Sequence, residues 1–262
     1  PMRFILLTFL LISVLACGSG TGSADGLATA APDRKLLALS QDLLYAVKTE
    51  KPTVDLERSL SGMSAEDLSK GLPDDRSRNL FWVNMYNAWY QLFAVRDGLD
   101  RPKIFTHRGI LFKGFSLTLD DIEHGILRRY RSKYSLGYLP QLLPAQVIKD
   151  LAVRKPDFRI HFALNCGARS CPPIAFYEYD LLEEQFDLAA KTFLNAETTV
   201  DDEKKLVFAT RIMEWFSADF GGKSGQLKIL SSYLGRDLSG YSIRYRDYDW
   251  TDALMNFGEA PR

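Results

Sequence analysis

The stretch NLFWVNMYNAWYQLF at residues 79–93 restricts what this chain can fold into. On a helical wheel turning about 100° per residue, Phe81, Trp82, Val83, Met85, Tyr86, Trp89, Tyr90, Leu92 and Phe93 occupy almost the whole circumference. A helix apolar nearly all round is a buried helix, so the remaining elements must enclose it. Asn84, Asn87 and Gln91 fall on one narrow stripe, and buried amides must find hydrogen-bond partners. The stripe admits two roles. The amides either pin neighbouring loops and strand ends, or they line a cleft in which Asn84 and Asn87 contact a ligand or a developing negative charge.

Apolar spacing and chain breakers predict further elements around this helix, which itself spans residues 76–96. Helices are expected over residues 33–47, 119–130, 146–153, 178–195, 213–220 and 223–234. Strands are expected over 103–106 and 115–117 around a turn at Gly114, and over 158–164, 205–209 and 242–245. Helices and strands mix without regular alternation, which favours an α+β fold over a doubly wound sheet. The expected architecture is a single α+β domain over residues 32–262, with a small, mainly antiparallel sheet packed by several helices, one of them long and buried.

Two segments carry chemistry. In SLTLDDIEHGILRRY, residues 116–130, Thr118 is placed to cap a helix with Asp121 in the capping-box position. Leu119, Ile122, Ile126 and Tyr130 form the inner face; Glu123 lies inside that face and His124 at its margin. A carboxylate on an apolar face is costly unless paired. Glu123 therefore either pairs with an arginine, or serves a site by orienting a histidine or binding a substrate group. His124 has the ordinary pKa of a general base.

In RIHFALNCGARSCPPI, residues 159–174, strand parity sends Phe158, Ile160, Phe162, Leu164 and Cys166 one way and Arg159, His161, Ala163 and Asn165 the other. His161 then cannot reach Cys166 unless the chain turns before Asn165. Gly167 and the Pro172–Pro173 pair end the segment and can present Cys166 to a cleft. Cys166 reads as a nucleophilic thiol, as a small core residue, or as half of a disulfide with Cys171, for which Gly167 supplies the tight turn.

Lys+Arg and Asp+Glu are both 33, a balance that gives no electrostatic case for nucleic acid. Scattered histidines, the missing zinc-ribbon spacing and the lack of phosphate-loop or dinucleotide motifs lead us to expect no metal and no cofactor. Near the start, Arg3 precedes an apolar run at 4–14, too short to span a bilayer but suited to an export signal. Cys17 follows Leu15 and Ala16 directly, which resembles the lipobox of bacterial lipoproteins. The expectation is a signal peptide over 1–16, a lipidated Cys17, and a flexible tether of small residues to 31. Gly18 in place of an aspartate leans toward the outer membrane, facing the periplasm. The expected partners are a membrane, through that lipid, and a small molecule or protein.

Together, FWVNMYNA at 81–88, LDDIEHGILR at 119–128 and HFALNCGARSCPP at 161–173 resemble the domain of unknown function 547 family, with echoes in RIMEWFSADFG at 211–221 and YRDYDW at 245–250. The resemblance implies a domain identity without an assigned reaction. It places Asn84, Tyr86, Asn87, Glu123, His124, His161, Asn165, Cys166, Cys171, Asp247 and Asp249 within its motifs. The expected function is a ligand- or partner-binding domain at the cell envelope. In the alternative, a cysteine-dependent hydrolase or acyl-transferase uses Cys166 as nucleophile and His124 as its activating base. Glu123 or an asparagine would orient the imidazole, and Asn84, Asn87 or Asn165 would donate to an oxyanion. In a third reading Cys166 and Cys171 form a structural or redox-active disulfide.

Overall fold

The computed structural model describes residues 30–258; the expected export signal, Cys17 and most of the expected tether lie outside the described residues. Asp33 opens helix α1 (Arg34–Lys48) by accepting from the amides of Lys35 and Leu36. Leu36, Leu37, Leu43, Leu44 and Val47 of α1 enter the main core, where α1 packs along α4. Two helices that the apolar spacing does not reveal, α2 (Val54–Ser61) and α3 (Ala65–Gly71), follow. Each is barely two turns long, too short to show a period.

Helix α4 (Asp75–Gln91) is the one the sequence demands. Asp74 and Ser77 close a reciprocal cap at its start, and every residue from Ser77 to Gln91 is buried. The helix widens into a π turn over Leu92–Arg96 before the chain breaks at Gly98. The core around it takes in α1, the hairpin β1 (Ile110–Phe112) and β2 (Phe115–Leu117), and Ile122, Ile126 and Leu127. Residues 103–106 are not the hairpin's first strand. They form a helical turn, α5 (Lys103–Thr106), that sinks Ile104 completely; the strand pairing across Gly114 is Phe112 with Phe115.

The predicted cap at Thr118 and Asp121 is present: Asp121 N donates to Thr118 Oγ1 at 2.9 Å and Thr118 N donates to Asp121 Oδ2 at 3.0 Å. The helix behind it is a π-helix, Asp121–Leu127. Its bonds reach five residues back, as in Arg128 N to Glu123 O and Tyr130 N to Gly125 O. Such wide turns recur at functional sites.

The expected strand at 158–164 is a 3-10 helix, Phe158–Phe162. The strand reading needed one face buried and one exposed, yet every residue from Ile160 to Asn165 is buried. The parity argument that separates His161 from Cys166 therefore fails. Beyond it, α6 (Gln146–Leu151) packs on the π-helix. Helix α7 (Leu182–Glu197), strands β3 (Thr199–Asp201) and β4 (Leu206–Ala209), α8 (Ile212–Trp215), α9 (Gly222–Leu234) and β5 (Ser242–Tyr245) complete the described chain. The fold is α+β, and its strands lie in two small sheets: the β1–β2 hairpin, and β3–β4–β5, antiparallel at β3–β4 and parallel at β4–β5. A second core, with Phe162, Phe193, Val207, Met213, Phe220 and Leu230, fills the space between that sheet and its helices.

The amides of α4 act as pins. Asn87 donates to Ala163 O at 2.9 Å and accepts from Asn165 N at 2.9 Å. Gln91 accepts from Met255 N at 2.8 Å, and Asn84 donates to Ser40 Oγ on α1 at 3.3 Å. Asn165 extends the chain of bonds, donating to Pro172 O at 2.7 Å and accepting from Gly167 N at 2.9 Å. Replacing Asn87 by alanine strands a buried carbonyl and a buried N–H together, at about 1–3 kcal/mol for each unpaired group. Urea unfolding should show Asn87→Ala destabilised by about 2–4 kcal/mol, and Asn84→Ala, which gives up one long bond, by no more than about 1 kcal/mol. Equal losses would remove the pinning role.

Candidate functional site

The chain of amide bonds fixes the loop 163–172, and the loop carries both cysteines. Gly167 turns it with φ +69°, and any Cβ there would stand 2.5 Å from Tyr90 Cε1. Only glycine fits. Cys166 and Cys171 are joined as a disulfide, with Cα atoms 6.1 Å apart. Tyr248 sets its hydroxyl 3.2 Å from Cys166 Sγ and 3.1 Å from Cys171 Sγ. A disulfide sulfur carries no hydrogen, so the tyrosine is the donor.

The disulfide lies at one side of a cavity of about 480 Å³. Aromatic walls come from distant elements: Tyr86 on α4, Phe105 on α5, Trp215 and Phe216 at α8, and Tyr248 and Trp250 near the C-terminus. Trp215, Tyr248 and Trp250 form one cluster, with ring centroids 4.6–5.4 Å apart. Glu123, His124, His161, Asp120 and Lys133 face the same space. The structure thus brings Cys166, Cys171, Glu123, His124 and His161 to one cavity. Asn84, Asn87 and Asn165 do not line the cavity, and their N–H groups are directed to the pins above, so they are not placed to donate to an oxyanion there. Asp247 is fully exposed and pairs with Arg211, and Asp249 lies beside Arg169.

Glu123 is buried and makes no ion pair among the described residues. Burial pushes its carboxyl up to about 7, against the downward pull of Arg128 and of a hydrogen bond from Tyr86. The expected arginine partner exists but is turned elsewhere. Arg128, without solvent exposure, places Nε 2.6 Å from Asp219 Oδ2 and Nη2 3.2 Å from Asp219 Oδ1. Arg131 Nη1 adds a contact to Asp219 Oδ1 at 2.6 Å, and His161 Nε2 donates to Asp219 Oδ2 at 2.8 Å. Against the cost of burial, these donors hold the Asp219 carboxyl well below the usual carboxylate range.

His124 completes the network in a way that removes it as a base. Its Nδ1 lies 2.6 Å from Arg128 Nη1. A guanidinium only donates, so Nδ1 accepts and the proton sits on Nε2, which faces Asp120 Oδ1 at 3.6 Å. Burial and the arginine hold its pKa well below the ordinary value. His124 is neutral with no free lone pair, and in the disulfide Cys166 has no thiol to activate. The Cys166–His124 pairing is thus replaced by a cystine and a structural imidazole. His161 is the other histidine at the cavity, kept neutral by burial and stacked on Phe216 at 4.0 Å.

Residues 72–194 match the family model described as protein of unknown function, DUF547. Over that stretch the chain is similar to the DUF547 family. No curated protein and no solved structure matches the chain. The DUF547 segment contributes Tyr86, Glu123, His124, Arg128, His161 and both cysteines, whereas Asp219, Trp215, Tyr248 and Trp250 lie beyond the matched residues. Tyr248 and Trp250 fall in the YRDYDW motif at 245–250, whereas Arg128, Trp215 and Asp219 are site residues to which sequence reasoning gave no role. Arg128 stands four residues after His124, and Asp219 lies inside the motif at 211–221, but neither position signals its partner.

Two substitutions test the electrostatics. Asp219→Asn leaves a buried guanidinium uncompensated and should cost about 3–5 kcal/mol near neutral pH. Because the Asp219 pKa is depressed, that stability is present above the unfolded pKa and lost as pH falls through the folded one. The wild type should therefore lose the advantage over Asp219→Asn in acid. Glu123 has the opposite sign. The folded state holds its proton longer than the unfolded chain, so stability falls between about pH 4.5 and about pH 7, by up to about 3 kcal/mol. Urea unfolding of Glu123→Gln should lack that decline, and a parallel pH profile would refute the assignment.

Proposed function

We propose that this is an envelope lipoprotein, tethered through Cys17, whose DUF547 domain binds a small cationic molecule in the aromatic cavity. The Arg3-headed apolar run, the cysteine directly behind it and Gly18 support an outer-membrane anchor facing the periplasm. Lipid release from a Cys17→Ser variant, read by membrane fractionation, tests that half.

One observation carries the ligand reading: a buried carboxyl at the foot of the cavity with no basic side chain bonded to it. A buried charge is tolerable only when paired, and the pairing group is left for the ligand to bring. The walls favour the same class, because aromatic faces attract cations and bury flat apolar bodies. Of the two lysines that line the cavity, Lys103 and Lys133, neither makes an ion pair with Glu123 among the described residues, and Lys133 is engaged by Asp120. The chemistry that fits is an ammonium or guanidinium on an apolar or aromatic body.

Phenethylamine and phenylpropionate, which share a ring and differ in charge, separate this reading from generic apolar binding. By calorimetry the amine should bind and the carboxylate should not. The carboxylate form of Glu123 is the binding form and its pKa in the free protein is about 7, so affinity should rise about tenfold from about pH 6 to about pH 8. Glu123→Gln should weaken binding and flatten that profile. Tighter binding of the carboxylate, or amine binding indifferent to pH, would sink the proposal.

A further inference from the structure

The disulfide does not look built to staple. It closes a separation of only five residues, and short loops gain least from a cross-link. The same loop is already held without it. Asn165 and Asn87 fix its start, Arg101 Nη1 donates to Cys166 O at 3.1 Å, and backbone bonds tie Gly167, Arg169 and Ser170 to the segment 249–253. The loop can keep its shape when the S–S bond opens.

The two sulfurs are also unlike each other. Cys171 is 4% exposed, while Cys166 is only partly buried. Cys171 Sγ accepts the backbone N–H of Cys166 at 3.1 Å and lies 3.4 Å from the N–H of Ala168, with Tyr248 Oη at 3.1 Å. The Cys166 sulfur has the tyrosine contact alone among the described residues. Donors aimed at a sulfur stabilise it as a thiolate. A thiol of lowered pKa is the better leaving group.

We propose that Cys166 and Cys171 form an exchangeable disulfide that oxidises low-molecular-weight thiols, with Cys166 the sulfur attacked and Cys171 the sulfur expelled. The incoming thiol gives its proton to solvent and its thiolate attacks Cys166 Sγ. The new S–S bond forms as the Cys166–Cys171 bond breaks, and the electron pair leaves on Cys171, where the two N–H groups and the Tyr248 hydroxyl receive it. A second thiol of the same class attacks the mixed disulfide and leaves as the small-molecule disulfide, and both cysteines end reduced. Two thiols are oxidised for one protein disulfide. The small substrate follows from the site: the sulfurs line a cavity of about 480 Å³ and do not stand on an open surface.

This inference uses the cavity of the ligand reading but not its contact to Glu123. Exchange is read by mass and amine binding by calorimetry, so either can fail alone. Glutathione is the probe. The folded protein, incubated with reduced glutathione, acid-quenched and alkylated, should show two new thiols with its circular dichroism unchanged. Early in that incubation the trapped mixed disulfide with glutathione should map to Cys166 about tenfold more often than to Cys171. Tyr248→Phe, which keeps the ring cluster, should slow reduction of the disulfide about tenfold through loss of one hydrogen bond to a charged sulfur. A disulfide that resists glutathione until the protein is denatured, a trapped adduct shared equally between the two cysteines, or an unchanged rate in Tyr248→Phe would each overturn the assignment.

Discussion

A guanidinium with no access to water tolerates few surroundings, and Arg128 has found one. Its fork meets the Asp219 carboxylate from a π-helix belonging to the main core, while Asp219 sits beside the second core. The pair thus joins the two apolar halves of the fold. Taking both charges from water is costly and is offset only when geometry is good and the remaining donors and acceptors are filled. Here Arg131 and His161 add donors to the carboxylate, and His124 accepts from the guanidinium. Both histidines at the cavity are therefore held by this one pair. Gly137 approaches so closely that a Cβ would stand 2.6 Å from Arg128 Nη2 and 2.8 Å from Asp219 Oδ1, so the irregular segment over 131–144 seals the pair where a bulkier residue would open it.

That seal explains why Glu123 is left alone. Arg128 lowers its pKa but bonds to Asp219, which Arg128, Arg131 and His161 keep ionised. Burial, with the cation bonded to the stronger acid, lets Glu123 keep its proton to near neutrality. The same sorting governs the imidazoles. An arginine at Nδ1 makes His124 a fixed acceptor, whereas a carboxylate at Nε2 makes His161 a fixed donor there. Burial keeps both neutral. The polarity of this end of the cavity is set by which partner each ring meets, and the intrinsic pKa of histidine decides little.

How much of this was legible in the chain follows from how local each cause is. The all-round apolar pattern of 79–93 requires burial whatever the neighbours are, and the helix is buried throughout. The cap at Thr118 and Asp121 is a contact across three residues and forms as its spacing implies. The pinning amides could be foreseen as needing partners, though not which ones. Reading fails where the cause is distant. Residues 158–164 alternate like a strand, but a strand needs another beside it, and here the segment is enclosed on all sides and winds into a 3-10 helix. The partner of Arg128 is 91 residues away, and Tyr248 reaches sulfurs 82 and 77 residues before it. No spacing rule spans such distances. The Cys166–His124 pairing is chemically reasonable and both residues line one cavity; what defeats it is an arginine four residues from the histidine and a second sulfur five residues from the first.

The two proposals for the cavity are not independent in their electrostatics. Burial raises the Tyr248 pKa, and the carboxyl of Glu123 raises it further. The same negative charge opposes any anion gathering at the sulfurs that Tyr248 touches. A cation seated against Glu123 would cancel that opposition, and a thiolate on Cys171 would then form in a less hostile field. By linkage the relation is reciprocal: a reduced, negatively charged cysteine pair would draw the cation in. Between groups that are largely buried such terms are larger than on a surface, so the cystine and the solitary carboxyl are better understood as one electrostatic unit than as two features that happen to share a hollow.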